Sequence, residues 1–122
     1  MRIAYLTVLA GLLATNPSGA SAGQSQWMPP AKLKAYMKSV DRAGQMPVKL
    51  ECDRRGTNWV QMRVTTQANP SNRRWHWAWG PRVAAVQSRL RGEGLKIVHS
   101  DEFTMLLGVR SKCAVWHGPA RR

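Results

Sequence analysis

The apolar positions of this chain change their period several times, and each change predicts an element. Ile3 to Ala14 (IAYLTVLAGLLA) is unbroken. Leu33, Tyr36, Met37 and Val40 recur at i, i+3, i+4 and i+7, one face of a helix. Pro29-Pro30 suits its first turn and Gly44 its C-terminal cap, so the spacing predicts a helix over 30–43. Pro47 to Asp53 then alternates, with Val48, Leu50 and Cys52 opposite Lys49, Glu51 and Asp53. Trp59 to Thr66 alternates again, with Val60, Met62 and Val64 inward. A turn around Gly56 makes the two runs an antiparallel hairpin.

Asn69-Pro70-Ser71-Asn72 signals a turn, and Arg73 to Gly80 reads as a tryptophan-bearing loop. Pro81 starts a second helix over 81–92, with Val83, Val86, Gln87 and Leu90 at helical spacing and Gly92 and Gly94 at its end. Leu95 to His99 reads as a strand. Asp101 and Glu102 mark a loop, Phe103 to Leu107 extends a strand, and Gly108 to Lys112 turns the chain. In a last strand, Cys113 to His117, Cys113 and Val115 face away from Ala114 and Trp116. Helices and strands do not alternate strictly. The expected fold is therefore α+β, a single domain over 30–118 with two helices on an antiparallel sheet of about four strands. Residues 119–122 form a basic tail expected to fray.

The apolar run at the start changes the picture of the compartment. Arg2 precedes it, Asn16 to Gly19 break it, and Ala20-Ser21-Ala22 is the small-x-small pattern cut by a signal peptidase. The run falls well short of the roughly 20 residues that span a bilayer. The expectation is export to the periplasm or beyond, cleavage after Ala22, and a flexible lead-in over 23–29. Only Cys52 and Cys113 are present. In an oxidising compartment an even pair reads as one disulfide, and neither follows the cleavage position as a lipid-anchored cysteine would. A domain of roughly 100 residues buries only about 60–70% of its unfolded surface, so such a staple matters.

Charge narrows the partners. The chain carries 19 Lys and Arg against 6 Asp and Glu, a net +13, and only Arg2 of these cations lies in the leader. Such a field favours anionic polymers, envelope components or acidic proteins.

The segments Met46–Cys52 (MPVKLEC), Trp75–Pro81 (WHWAWGP) and Cys113–His117 (CAVWH), with GLKIVHSDEF before the last, together resemble small secreted bacterial proteins of uncharacterised function. The resemblance covers Trp27 to Gly118. It implies a shared fold and brings no activity, cofactor or catalytic residue with it. Gln87 to Trp116 is also loosely similar to bacterial tandem-repeat modules whose unit ends in an apolar stretch before Trp. This chain holds one such unit.

Among candidate chemistries, Arg73-Arg74-Trp75-His76-Trp77-Ala78-Trp79 is the most unusual. Arginine beside spaced tryptophans grips phosphates and stacks bases or sugar rings. The same tryptophans also suit a core. The expected binding residues are Arg73, Arg74, Trp75 and Trp77, with Arg54, Arg55 and Arg63 as neighbours across the hairpin. His76, His99 and His117 would serve an alternative, a small secreted hydrolase or nuclease, and His99 and Asp101 could share a strand face. A second alternative is an inhibitor that docks on an acidic cleft. No complete catalytic signature, glycine-rich phosphate loop or metal-ligand spacing is present, so no cofactor and no metal are expected.

Overall fold

Both helices and the β2–β3 hairpin form close to the predicted positions, but two further segments are strands and the strands divide into two sheets. The computed structural model describes residues 22–55 and 59–121. All of the leader except Ala22, the Gly56 turn and the last residue of the tail lie outside the described residues. The order is β1 (Gly23–Gln24), α1 (Pro30–Arg42), β2 (Gln45–Arg55), β3 (Trp59–Ala68), β4 (Arg73–Trp79), α2 (Val83–Gly92), β5 (Lys96–Thr104) and β6 (Arg110–Ala120). The first sheet has the order β1-β3-β2 and the second β4-β6-β5, and every pairing is antiparallel. The class is α+β with two helices, as expected.

The single sheet of about four strands is corrected to two sheets of three. Two segments account for the difference. Gly23 and Gln24 pair with Thr66 and Thr65, and Met28 bridges Met62, so part of the segment read as a lead-in closes the edge of β3. The tryptophan segment read as a loop is strand β4, paired with β6 from Arg73↔Ala120 to Trp79↔Cys113. Its alternation of aromatic side chains with His and Ala suits a pleated, half-buried surface. Asp101 and Glu102 lie inside β5 rather than in a loop, because each finds a partner there. The turn expected at Gly108–Lys112 falls earlier, at Leu106–Gly108, and β6 resumes at Arg110. The tail does not fray at Arg121, whose N–H donates to Asn72 O at 2.8 Å.

Two clusters of buried side chains hold the layers. In the larger, Leu33, Met37 and Val40 of α1 pack on Leu50, Cys52, Met62 and Val64 of the first sheet and on Phe103, Cys113 and Val115 of the second. Leu33 and Val40 are wholly buried, and burial of such a side chain contributes about 1.5–3 kcal/mol. In the smaller, Val83 and Leu90 of α2 cover Leu95, Ala114 and Trp116. β6 is therefore buried on both faces, which explains its continuous apolar run from Cys113 to Trp116. Trp116 is fully buried and its indole N–H donates to Gln87 Oε1 at 2.6 Å.

Where β2 meets the second sheet, side chains do what main-chain pairing does elsewhere. The Leu50 N–H donates to His99 Nδ1 at 3.1 Å and the Cys52 N–H to Asp101 Oδ2 at 3.0 Å. His117 Nε2 donates to Pro47 O at 2.6 Å. The disulfide Cys52–Cys113 crosses the same seam, with a Cα separation of 6.3 Å. These contacts satisfy edge groups of β2 that would otherwise be buried unpaired.

Candidate functional site

Trp75 and Trp77 face α1 from β4, because period two puts both on the side of the second sheet that carries Cys113 and Val115. Helical spacing puts Lys34 and Lys38 one turn apart on α1, beside buried Met37. The two elements enclose a groove of about 410 Å³, lined by Lys34, Met37, Lys38, Asp41, Trp75, Trp77 and Arg121. Arg121 Nη1 is 3.1 Å from Asp41 Oδ1 and donates to Asn72 Oδ1 at 2.9 Å, which holds its charge at the rim. The Trp75 indole N–H is buried and meets no acceptor among the described residues.

The remaining predicted residues separate. Arg74 belongs with Glu93 across the other side of β4, at 2.9 Å. Arg73 donates through Nε to Gly118 O at 3.0 Å. Arg55 and Arg63 do meet a tryptophan, but it is Trp27. Their guanidinium carbons lie 4.5 and 4.6 Å from the centre of its ring. Arg63 also holds Glu51 through two bonds, of 2.9 and 3.1 Å, and Arg55 approaches Asp53 at 4.0 Å. These arginines clamp the segment after β1 to the outside of the first sheet. Arg54 donates its N–H to Asp53 Oδ1 at 2.8 Å. The side chain of Trp59 lies outside the described residues.

Lys34, Lys38, Arg121 and Trp27 are not among the residues expected to bind. Lys34 and Lys38 are visible in the sequence as the polar face of a helix, yet nothing local says that β4 will lie beside that face. Arg121 and Trp27 sit next to the chain's turn and proline signals and carry no pattern of their own.

The acids explain where free positive charge remains. Asp41, Glu51, Asp53, Glu93 and Glu102 each meet an arginine or lysine, and Asp101 accepts from the main chain. On α1, Lys32, Lys34, Lys38 and Arg42 meet no carboxylate among the described residues. Two of these unneutralised cations, Lys34 and Lys38, line the groove.

The histidines serve the fold. His99 and His117 share the face of the second sheet that meets β2, and each commits a ring nitrogen to that strand's main chain. His76 is on the opposite face, its ring centroid 6.0 Å from that of Trp116. Acid–base cleavage needs two such groups converging on one substrate; His76 is separated from the other two, and His99 and His117 each give a ring nitrogen to the main chain of β2. Among the described residues no group of three or more His, Cys, Asp or Glu gathers to hold a metal ion.

Burial holds the His76 imidazole below its ordinary range, the Arg89 charge adds to this, and Glu93 opposes it. The unfolded chain therefore takes up the proton first. Stability from this site is complete above about pH 6.5 and declines as pH falls through the folded-state value. Glu51 is held low by its hydrogen bond from Arg63, and Glu93 by that from Arg74, so both add acid sensitivity only below about pH 4.5. Urea unfolding midpoints should fall between pH 7 and pH 5, and His76→Phe should flatten that slope. An unchanged slope in the variant would refute the assignment.

No protein-family model, no curated protein and no solved structure matches this chain.

Proposed function

We propose that this is an exported, non-catalytic binding protein that captures an anionic polymer or an acidic envelope component in the groove between α1 and β4. One observation carries the reading. A single groove is lined by Trp75 and Trp77 together with Lys34, Lys38 and Arg121. Cations supply the long-range attraction and tryptophan the short-range stacking on bases or sugar rings. Export is supported by the disulfide, which persists in oxidising compartments, and by the first strand starting at Gly23, directly after the Ala22 cleavage position. Among the described residues no helix is long and apolar enough to cross a membrane.

The test is binding of heparin and of a single-stranded oligonucleotide to the oxidised protein across a salt series. Affinity should fall steeply with salt. Lys34→Ala with Lys38→Ala should weaken binding to the oligonucleotide and make the log–log salt slope shallower by roughly 0.7 for each phosphate no longer neutralised. Trp77→Ala should lower affinity by about 1–3 kcal/mol, the worth of one stacked base. Salt-insensitive binding, or an affinity untouched by these changes, would remove the reading.

A further inference from the structure

The β5–β6 hairpin ends in an apolar tip that the fold does not use. Leu107 is 98% exposed and Val109 is 59% exposed. Main-chain bonds close the turn: Met105 N–H donates to Val109 O at 2.6 Å and Gly108 N–H to Met105 O at 3.2 Å. Leu107 nevertheless sits at φ 68°, ψ 19°, a left-handed conformation that strains a residue with a Cβ and that glycine adopts freely. A glycine would build this turn with less strain and expose no apolar surface. The leucine needs a reason outside the fold.

The surroundings of the tip supply one. Arg110 and Lys112 stand immediately behind it, with side chains 74% and 57% exposed, and they share a single acid, Glu102. Their face of the second sheet opens into a groove of about 570 Å³ against α2, where Arg91 adds a cation that meets no carboxylate among the described residues. Ser100 lines the same groove. An apolar point ahead of a cationic collar matches the layering of an anionic bilayer, with acyl chains beneath phosphates. Neither signal alone holds a protein there; an apolar insertion combined with basic residues does.

We propose that the β5–β6 tip seats this protein on an anionic lipid surface. Leu107 and Val109 enter the acyl boundary, and Arg110 and Lys112 lie at the level of the lipid phosphates. This surface is on the opposite face of the second sheet from the α1–β4 groove, so the two functions are separable.

The experiment is co-sedimentation of the oxidised full-length mature chain with vesicles of phosphatidylcholine alone and of phosphatidylcholine mixed with phosphatidylglycerol. Wild type should sediment with the mixed vesicles and stay in solution with the neutral ones. Leu107→Gly should weaken that binding by about tenfold or more, the factor expected for one leucine's transfer. It should leave the melting temperature unchanged or raise it, because the left-handed strain is relieved. Its heparin affinity should equal that of wild type. Arg110→Ala with Lys112→Ala should weaken vesicle binding and reduce its salt dependence. Equal sedimentation of Leu107→Gly and wild type would overturn the proposal, as would wild type that ignores both vesicles or binds both alike. Loss of vesicle binding in Lys34→Ala/Lys38→Ala but not in Leu107→Gly would assign the lipid to the groove instead, overturning the tip while leaving the groove reading intact. If Leu107→Gly abolishes a concentration-dependent dimer formed without lipid, the tip is a contact between copies and the proposal falls.

Discussion

Cys52→Ala together with Cys113→Ala is expected to cost about 4 kcal/mol of stability. Alanine is the informative replacement, since both positions are buried and serine would add an unpaired hydroxyl. The cross-link closes a loop whose ends are 61 residues apart in sequence, and β3, β4, α2 and β5 all lie within it. In the chain-entropy account a loop of that length removes about 4 kcal/mol from the unfolded ensemble's advantage. It also bridges the two sheets, which share no main-chain ladder among the described residues and meet through β2's side-chain partners. Total stability for a domain of this size is about 5–15 kcal/mol, and each kcal/mol moves the melting temperature by about 4–8 °C. Thermal unfolding followed by circular dichroism should therefore drop by tens of degrees, and reduction of the wild type should do the same. A melting temperature within a few degrees of the oxidised protein would show that packing alone joins the sheets.

What is legible in the sequence follows the range of the interactions involved. α1, α2 and the β2–β3 hairpin depend on local periods, and they appear where Leu33, Met37 and Val40, or Val60, Met62 and Val64, repeat. β1 has only Gly23 and Gln24, which carry no period, so nothing local signals its pairing to Thr66 and Thr65. β4 presents Trp75 and Trp77 to one layer and His76 and Ala78 to another, and such two-sided, partial burial blurs the apolar pattern. His99 and Asp101 do share a strand face, where an orienting pair for catalysis is one reading. They instead accept from Leu50 and Cys52, each 49 residues away, and no local signal announces that strand edge. The candidate site divides in the same way. Trp75 and Trp77 stand out, but their cationic partners come from α1 and Arg121, and only tertiary packing brings those together.

Trp116→Ala is expected to cost about 3–5 kcal/mol, the range for a large aromatic removed from a packed core. Trp116 is fully buried between β6 and α2, and in so small a cluster Val83, Leu90 and Leu95 cannot collapse into the space it leaves. Gln87 Oε1 loses its donor at the same time. Trp116→Phe separates the two effects: it keeps most of the bulk and forfeits the hydrogen bond, so about 1 kcal/mol should be lost from that source. The contrast with Trp77 is the sharper test, because the two residues stand on opposite faces of the second sheet. Trp116→Ala should lower the unfolding midpoint steeply yet bind heparin as wild type does when assayed well below that midpoint. Trp77→Ala, half-buried beside the groove, should lose less stability and more affinity. If Trp116→Ala impaired binding as much as Trp77→Ala, the two faces would not be independent, and stacking in the groove would no longer explain the loss.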